Sequence, residues 1–237
     1  MIELLGVGVP RRDRGWLLHH VCARLEAGDL TTVLSADSKE RRALLDAITG
    51  RRLPDEGRVW IDRVPVMPDS LRRVRRLCGD VDPADGRGAR RSVFWNALER
   101  VGLQPYVDEP VAALSPFERL RLLVGRAVAR RPRYLVVRDP DASLSAAEIG
   151  ALLRLLRLLA RSDHLGVVVS LAEGAAGREL ADRVLLLHEG VMLYHGRPDA
   201  PPAARGAAGD RTRAMSVAGG GGVVGLLADP SGIDSGA

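Results

Sequence analysis

The sequence predicts an α/β domain built on a mostly parallel sheet flanked by helices, with an antiparallel β portion near the N-terminus and a separate C-terminal extension. Three observations lead there. Short apolar runs of strand length alternate with runs of helical period through the first 198 residues, the pattern of a sheet covered on both faces. Apolar residues make up 46% of the chain and aromatics only 3%, so a sizeable core is possible and Leu, Val and Ala must fill it. From Asp199 onward the composition changes to Ala, Gly, Pro and Ser without a hydrophobic period, which reads as a flexible tail over 199–237. A length of 237 residues suits one generous domain, 1–198, plus that extension.

The elements follow in order. Leu30–Leu34 is a compact apolar strand, and Arg41–Thr49 is a helix closed by Gly50 in the position of a C-terminal cap. Arg58–Asp62 alternates as a strand should. Ser92–Val101 and Pro116–Arg131 are helical in period, and Tyr134–Val137 is an apolar strand. Ala146–Ala160 is a Leu/Arg amphipathic helix, and Val167–Ser170, Arg183–Leu187 and Val191–Tyr194 are further strands. No internal repeat is present.

Composition narrows the function classes. The basic excess is almost all arginine, with Lys39 the only lysine, so a pI near 10 reflects residue usage and does not by itself indicate nucleic acid. Cys22 and Cys78 cannot build a disulfide framework and have no metal-ligand spacing, which fits a reducing compartment. The N-terminus lacks the layout of a signal peptide. The longest uncharged run near the end, Ala214 to Ala228, contains four consecutive glycines and makes a poor spanning helix. The expectation is a soluble protein whose role at any membrane runs through a partner.

The segment from Val21 to Val66 carries the most information. It contains Leu25-Glu26-Ala27-Gly28-Asp29-Leu30, then Val33-Leu34, then Leu44-Leu45-Asp46-Ala47-Ile48-Thr49-Gly50. These are followed by Leu53-Pro54-Asp55-Glu56-Gly57-Arg58-Val59 and the strand end Ile61-Asp62. This resembles the start of the ATP-binding domain of ABC transporters: strand, phosphate loop, helix, then a hairpin, with no gap needed before Gly50. The likeness extends to about Gly196, roughly four-fifths of the chain. It implies the P-loop NTPase-like ABC ATPase fold, with a helical subdomain shortened between Pro83 and Leu114.

A phosphate loop needs glycines so that backbone N–H groups can turn onto phosphate, a lysine for the β/γ-phosphates and a Ser/Thr hydroxyl for magnesium. Counting back from Gly50, the loop here is Ser35-Ala36-Asp37-Ser38-Lys39-Glu40-Arg41-Arg42-Ala43. Ser35, Ser38 and Glu40 stand at the glycine positions, Arg41 at the lysine and Arg42 at the magnesium ligand. Lys39 lies two residues too early to substitute. Asp37 and Glu40 place negative charge at a helix N-terminus that would otherwise attract phosphate. The plain alternative is an ordinary strand–turn–helix in which Glu40 completes the helix start.

The resemblance assigns further positions. In Leu135-Val136-Val137-Arg138-Asp139-Pro140, Arg138 stands where a magnesium-binding Asp is expected. Asp139 stands at the catalytic Glu, one methylene shorter. In the signature-like Leu114-Ser115-Pro116-Phe117-Glu118-Arg119, Pro116 and Phe117 replace two glycines whose amides would touch a partner's γ-phosphate. Ser115 also reads as a helix N-cap, with Pro116 at the first position and Glu118 at the third. Leu171 occupies the switch-histidine position, and the glutamine expected near Pro83 is absent. Ala181-Asp182-Arg183-Val184 through Glu189-Gly190 to His195-Gly196 resembles the family's closing hairpin. His195 reads as a hairpin surface residue, and His19-His20 has no metal-binding spacing.

The expectation is therefore a degenerate cassette subunit without catalytic residues or a bound metal, with no cofactor expected; ATP and magnesium would bind only if the divergent loop still holds them. Its partners would be a membrane permease, an ATPase-competent homologue, or both, as a homo- or heterodimer on the inner, cytoplasmic face of the cell membrane. One alternative is a working ATP-driven transporter subunit with divergent motifs; another is an enzyme using Asp139 on a different phosphate ligand. A third is a nucleic-acid-binding protein, drawing on Arg72-Arg73-Val74-Arg75-Arg76 and Arg87-Gly88-Ala89-Arg90-Arg91, though neither cluster has interleaved aromatics and no specific nucleic acid is expected. Finally, the swapped signs predict an internal ion pair in the site, between Arg138 and Asp37 or Glu40.

Overall fold

The computed structural model describes residues 1–12, 15–83, 95–106, 109–172 and 175–199. The chain divides into two units, Met1–Ala203 and Ala204–Ala237, and every described residue belongs to the first. The expected tail lies, from residue 200 on, outside the described residues. So do parts of the shortened subdomain and the whole of the Arg87–Arg91 cluster.

Two sheets form the frame. Strands β1 (Ile2–Pro10), β2 (Trp16–Leu25), β4 (Glu56–Ile61) and β5 (Val64–Pro65) make an antiparallel sheet in the order β2-β1-β4-β5. Strands β3 (Leu30–Leu34), β6 (Cys78–Val81), β7 (Tyr134–Val137), β8 (Gly166–Leu171), β9 (Arg183–His188) and β10 (Val191–Gly196) make the second, ordered β10-β9-β3-β8-β7-β6. Its first five members after β10 run parallel, and β10 returns antiparallel on β9 as a hairpin.

Alternation along the parallel strands sorts the core into two halves. Leu135 and Val137 of β7, Val167 and Val169 of β8, and Val184 and Leu186 of β9 face one side, where they meet helices α4 (Pro116–Ala129) and α5 (Ala146–Asp163). Val136, Val168 and Leu185 face the other, where α1 (Ser38–Thr49) and the antiparallel sheet cover them. Continuous apolar strands such as Leu30–Leu34 are legible for this reason: both faces are buried.

The remaining helices are α2 (Leu71–Leu77), α3 (Trp95–Arg100) and α6 (Ala175–Glu179). The sequence reading extended the α3 helix over Ser92–Val101; residues 92–94 lie outside the described residues. It gave no bounds for β1, β2, β5 or α6, and it missed α2 and β6, because an arginine-dense seven-residue helix and a four-residue strand give little period to read. Helix α1 begins at Ser38, three residues earlier than Arg41, because Asp37 caps it by accepting from the Lys39 N–H at 2.8 Å. Gly50 ends it in the left-handed region at φ 69°, as expected.

One carboxylate ties α5, β3 and β9 together. Asp182 accepts from the Leu30 N–H at 3.1 Å and from Arg157 at 2.7 Å. Burial alone would raise its pKa, but these bonds outweigh it and hold the group below the ordinary carboxylate range. A depressed folded-state pKa contributes stability above the unfolded value, near 3.9, and loses it as pH falls through the folded value. Asp182→Asn should therefore lower the melting temperature at neutral pH and lose less of it on acidification, as pH-dependent thermal unfolding would record.

Gly57 marks where the two strands β1 and β4 approach most closely. It sits at φ 74°, and a Cβ there would lie 2.2 Å from the Gly6 carbonyl oxygen. Gly57→Ala should destabilise the domain by on the order of 2 kcal/mol in chemical unfolding.

Candidate functional site

The site lies at the carboxyl ends of β3, β7 and β8. The loop after β3 carries Ser35 to Asp37 into α1, and the end of β7 delivers Arg138 and Asp139 beside it. An open cleft of about 490 Å³ adjoins the loop, lined by Arg11, Trp16, Ser35, Asp37, Glu40 and Glu189 among others.

The loop's amides are turned onto the loop itself. The Asp37 N–H donates to the Ser35 hydroxyl at 3.1 Å and the Lys39 N–H to the Asp37 carboxylate at 2.8 Å. The Glu40 and Arg41 N–H groups both donate to the Asp37 carbonyl, at 3.2 and 3.3 Å. A phosphate cradle requires such donors to point at the ligand. Here an aspartate cap and a serine satisfy them. Lys39 and Ser38 are exposed, and Ala43 is buried against the core.

Glu40 stands at a loop glycine position and is 2% exposed. Its carboxylate accepts from the Ser35 hydroxyl at 2.7 Å and from the Gly190 N–H at 2.8 Å. The turn of the β9–β10 hairpin is thereby bonded to the start of α1.

Arg41, at the lysine position, is 5% exposed and folds inward. Its Nε donates to Asp139 at 2.6 Å and its Nη1 to the Ser35 carbonyl at 2.6 Å. Asp139 in turn accepts from the Ser170 hydroxyl at 2.9 Å and holds a left-handed backbone at φ 35°. The carboxylate at the catalytic position is thus committed to a guanidinium and a hydroxyl. Arg42, at the magnesium-ligand position, is exposed and lies 4.0 Å from Asp82. Leu171, at the switch position, is buried and ends β8.

Arg138 does not pair with Asp37 or Glu40, which corrects the pairing expected from sequence. It is 3% exposed, donates to Asp80 at 2.8 Å and to Asp46 at 2.8 Å, and reaches the Thr49 hydroxyl at 2.9 Å. The reason is position. Arg138 leaves β7 next to β6, which supplies Asp80, and faces the second half of α1. Asp46 lies roughly 9 Å further along that helix than Glu40. Asp37 meanwhile pairs with Arg11 at 2.8 Å. Arg51 extends the cluster, bonding Asp80 at 2.6 Å and Asp82 at 3.1 Å.

The signature-like segment is a helix start. Ser115 and Glu118 form a reciprocal capping box, their side chains accepting each other's N–H at 3.2 and 2.8 Å. Pro116 has no N–H to offer, and Phe117 is half-buried beneath the Arg121 guanidinium. Arg119 donates to the Leu114 carbonyl at 2.8 Å.

Sequence reasoning missed Arg11, Asp46, Thr49, Arg51, Asp80, Asp82 and Ser170. A signal existed for two of them: Asp80 and Asp82 alternate around Val81 and so share one face of the chain at the end of β6. The residues do not fit Mg-ATP, because the lysine position and both magnesium positions hold guanidinium groups: Arg41 is bonded to Asp139, Arg42 lies beside Asp82, and Arg138 is bonded to Asp46 and Asp80. Arg138→Ala should destabilise the domain by about 3 kcal/mol in chemical unfolding, since it leaves the partly buried Asp46 without its guanidinium, while Asp80 keeps Arg51.

No protein-family model matches the chain. A phosphonates import ATP-binding protein of Cupriavidus metallidurans is 29% identical over 230 residues, covering 84% of this chain and 82% of that protein. A hemin import ATP-binding protein of Hahella chejuensis is 27% identical over 226 residues, covering 84% and 88%. Among solved structures, cbiO1 of Clostridium perfringens, part of the ABC transporter complex cbiONQ, matches with TM-score 0.73 at 18% identity over 83% of this chain and 88% of that one. A dimeric bacterial ABC transporter cassette, MJ0796, matches with TM-score 0.70 at 20% identity over 84% and 100%. The chain has the fold of an ABC ATPase cassette, and its sequence is similar to those of ATP-binding subunits of ABC transporters.

Proposed function

We propose that the chain is a cassette subunit without ATPase activity, a structural or regulatory half that works with a membrane permease, with an ATPase-competent homologue, or with both. Its place would be the inner face of the cell membrane, held there through its partner. The observation that carries this reading is the internal bonding of the phosphate-type loop: the N–H groups of Asp37, Lys39, Glu40 and Arg41, the Arg41 guanidinium and the Asp139 carboxylate already have partners. A nucleotide would have to displace the Arg41–Asp139 and Glu40–Gly190 bonds and then bind without a lysine or a magnesium ligand. The relatives' import functions support the permease partner. Fold alone does not carry activity, so an intact scaffold is compatible with a lost site.

Isothermal calorimetry with Mg-ATP should detect no magnesium-dependent binding in the micromolar range, and phosphate release should stay at background. Micromolar binding or turnover by the isolated protein would favour a working subunit with divergent motifs. Arg41→Lys alone should not restore turnover, because the loop acids and Arg138 remain.

A further inference from the structure

The exposed arginines of α2 have neighbours that the sequence does not reveal. Arg72, Arg73, Arg75 and Arg76 surround the buried Val74 and are all exposed. The Arg133 N–H donates to the Leu77 carbonyl at 2.8 Å, so the turn between α4 and β7 lies against the end of α2. That turn carries the exposed Arg130 and Arg131. Helix α2 leads into β6 and the turn leads into β7, two adjacent strands at one edge of the parallel sheet. The six arginines therefore gather at the amino ends of these strands, opposite the carboxyl ends that carry Arg138 and the loop.

The two ends differ in charge pairing. Around the loop every arginine named above has a carboxylate partner. At the amino ends Arg133 pairs with Asp62 at 3.4 Å, but among the described residues none of the six has an ion-pair partner. Six arginines against the neighbouring Asp69, which makes no ion pair with them, leave an excess of positive charge that raises the local potential and that an external anionic surface relieves.

We propose that this surface binds anionic lipid headgroups, giving the chain a contact with the bilayer that is separate from any permease and independent of the ATP site. The arginines stand on the outer face of a helix and on a turn, and neither segment contributes to the cleft beside the loop or to the groove lined by Trp60, Val66 and Met67. That shape suits an extended anionic plane better than a peptide needing a pocket for its side chains. Residues 71–77 and 130–133 contain no aromatic on which bases could stack, which disfavours single-stranded nucleic acid. Guanidinium forks bond phosphate oxygens in pairs, and a cluster of about four to eight basic residues is enough to recognise anionic lipid.

The test is sedimentation of the full chain with vesicles of phosphatidylcholine alone or with about 30% phosphatidylglycerol, at low and high salt. Binding should require the anionic lipid and weaken with salt. The variant Arg72→Gln/Arg73→Gln/Arg75→Gln/Arg76→Gln should bind at least about tenfold more weakly while keeping its circular dichroism and melting temperature. A control with the same charge loss elsewhere, Arg12→Gln/Arg24→Gln/Arg58→Gln/Arg154→Gln, should retain most of the binding. Equal binding to neutral vesicles, no loss in the α2 variant, an equal loss in the control, or tight binding to a random DNA duplex with vesicles ignored would overturn the proposal.

Discussion

A guanidinium taken out of water must be surrounded by acceptors, and two such groups organise this protein. Arg138 and Arg41 are both nearly inaccessible to solvent, so each must find its acceptors within the protein. Each therefore dictates what lies around it. Arg138 draws Asp46 and Thr49 of α1 toward Asp80 of β6, fixing the helix against the edge of the parallel sheet. Arg41 joins the first turn of the same helix to Asp139 and to the Ser35 carbonyl. The helix that follows the loop is pinned at both ends by ion pairs.

The charges around this loop are opposite to those a phosphate site requires. A phosphate loop leaves its amides open at a helix N-terminus, where the macrodipole favours negative charge. Here the negative charge is supplied from within, by Asp37 as cap and by Glu40, buried and bonded to the hairpin turn at Gly190. The four charged groups each have their own partners: Asp37 has Arg11, Glu40 has Ser35 and Gly190, Arg41 has Asp139, and Arg138 has Asp46 and Asp80. The arginines at the opposite end of the sheet have no such constraint and remain open to solvent.

The framework was legible because it is written in periodicity and caps. Continuous apolar runs such as Leu30–Leu34 and Tyr134–Val137 belong to strands buried on both faces, and Gly50 and Ser115 stand at helix ends where their chemistry is required. The place of the loop between β3 and α1 was legible too, from the apolar run before it and Gly50 after the helix. The partners were not. Which carboxylate meets Arg138 depends on the register between β6 and β7 and on the rotation of α1, and neither is a property of local sequence. Pairing by proximity in the motif selected Asp37 and Glu40; the fold selected Asp46 and Asp80. The joining of α2 to the Arg130–Arg131 turn is equally invisible, because those segments are more than fifty residues apart.

The central claim is that ion pairs inside the site take the place of a ligand in holding the loop. A double-mutant cycle on Arg41 and Asp139 addresses it directly, from the unfolding free energies of the parent, Arg41→Ala, Asp139→Ala and the double variant. Close, buried partners predict a coupling above about 1 kcal/mol, with the double variant less destabilised than the sum of the singles. Additivity to within about 0.5 kcal/mol would mean that the two side chains do not hold the loop together, and would contradict the account.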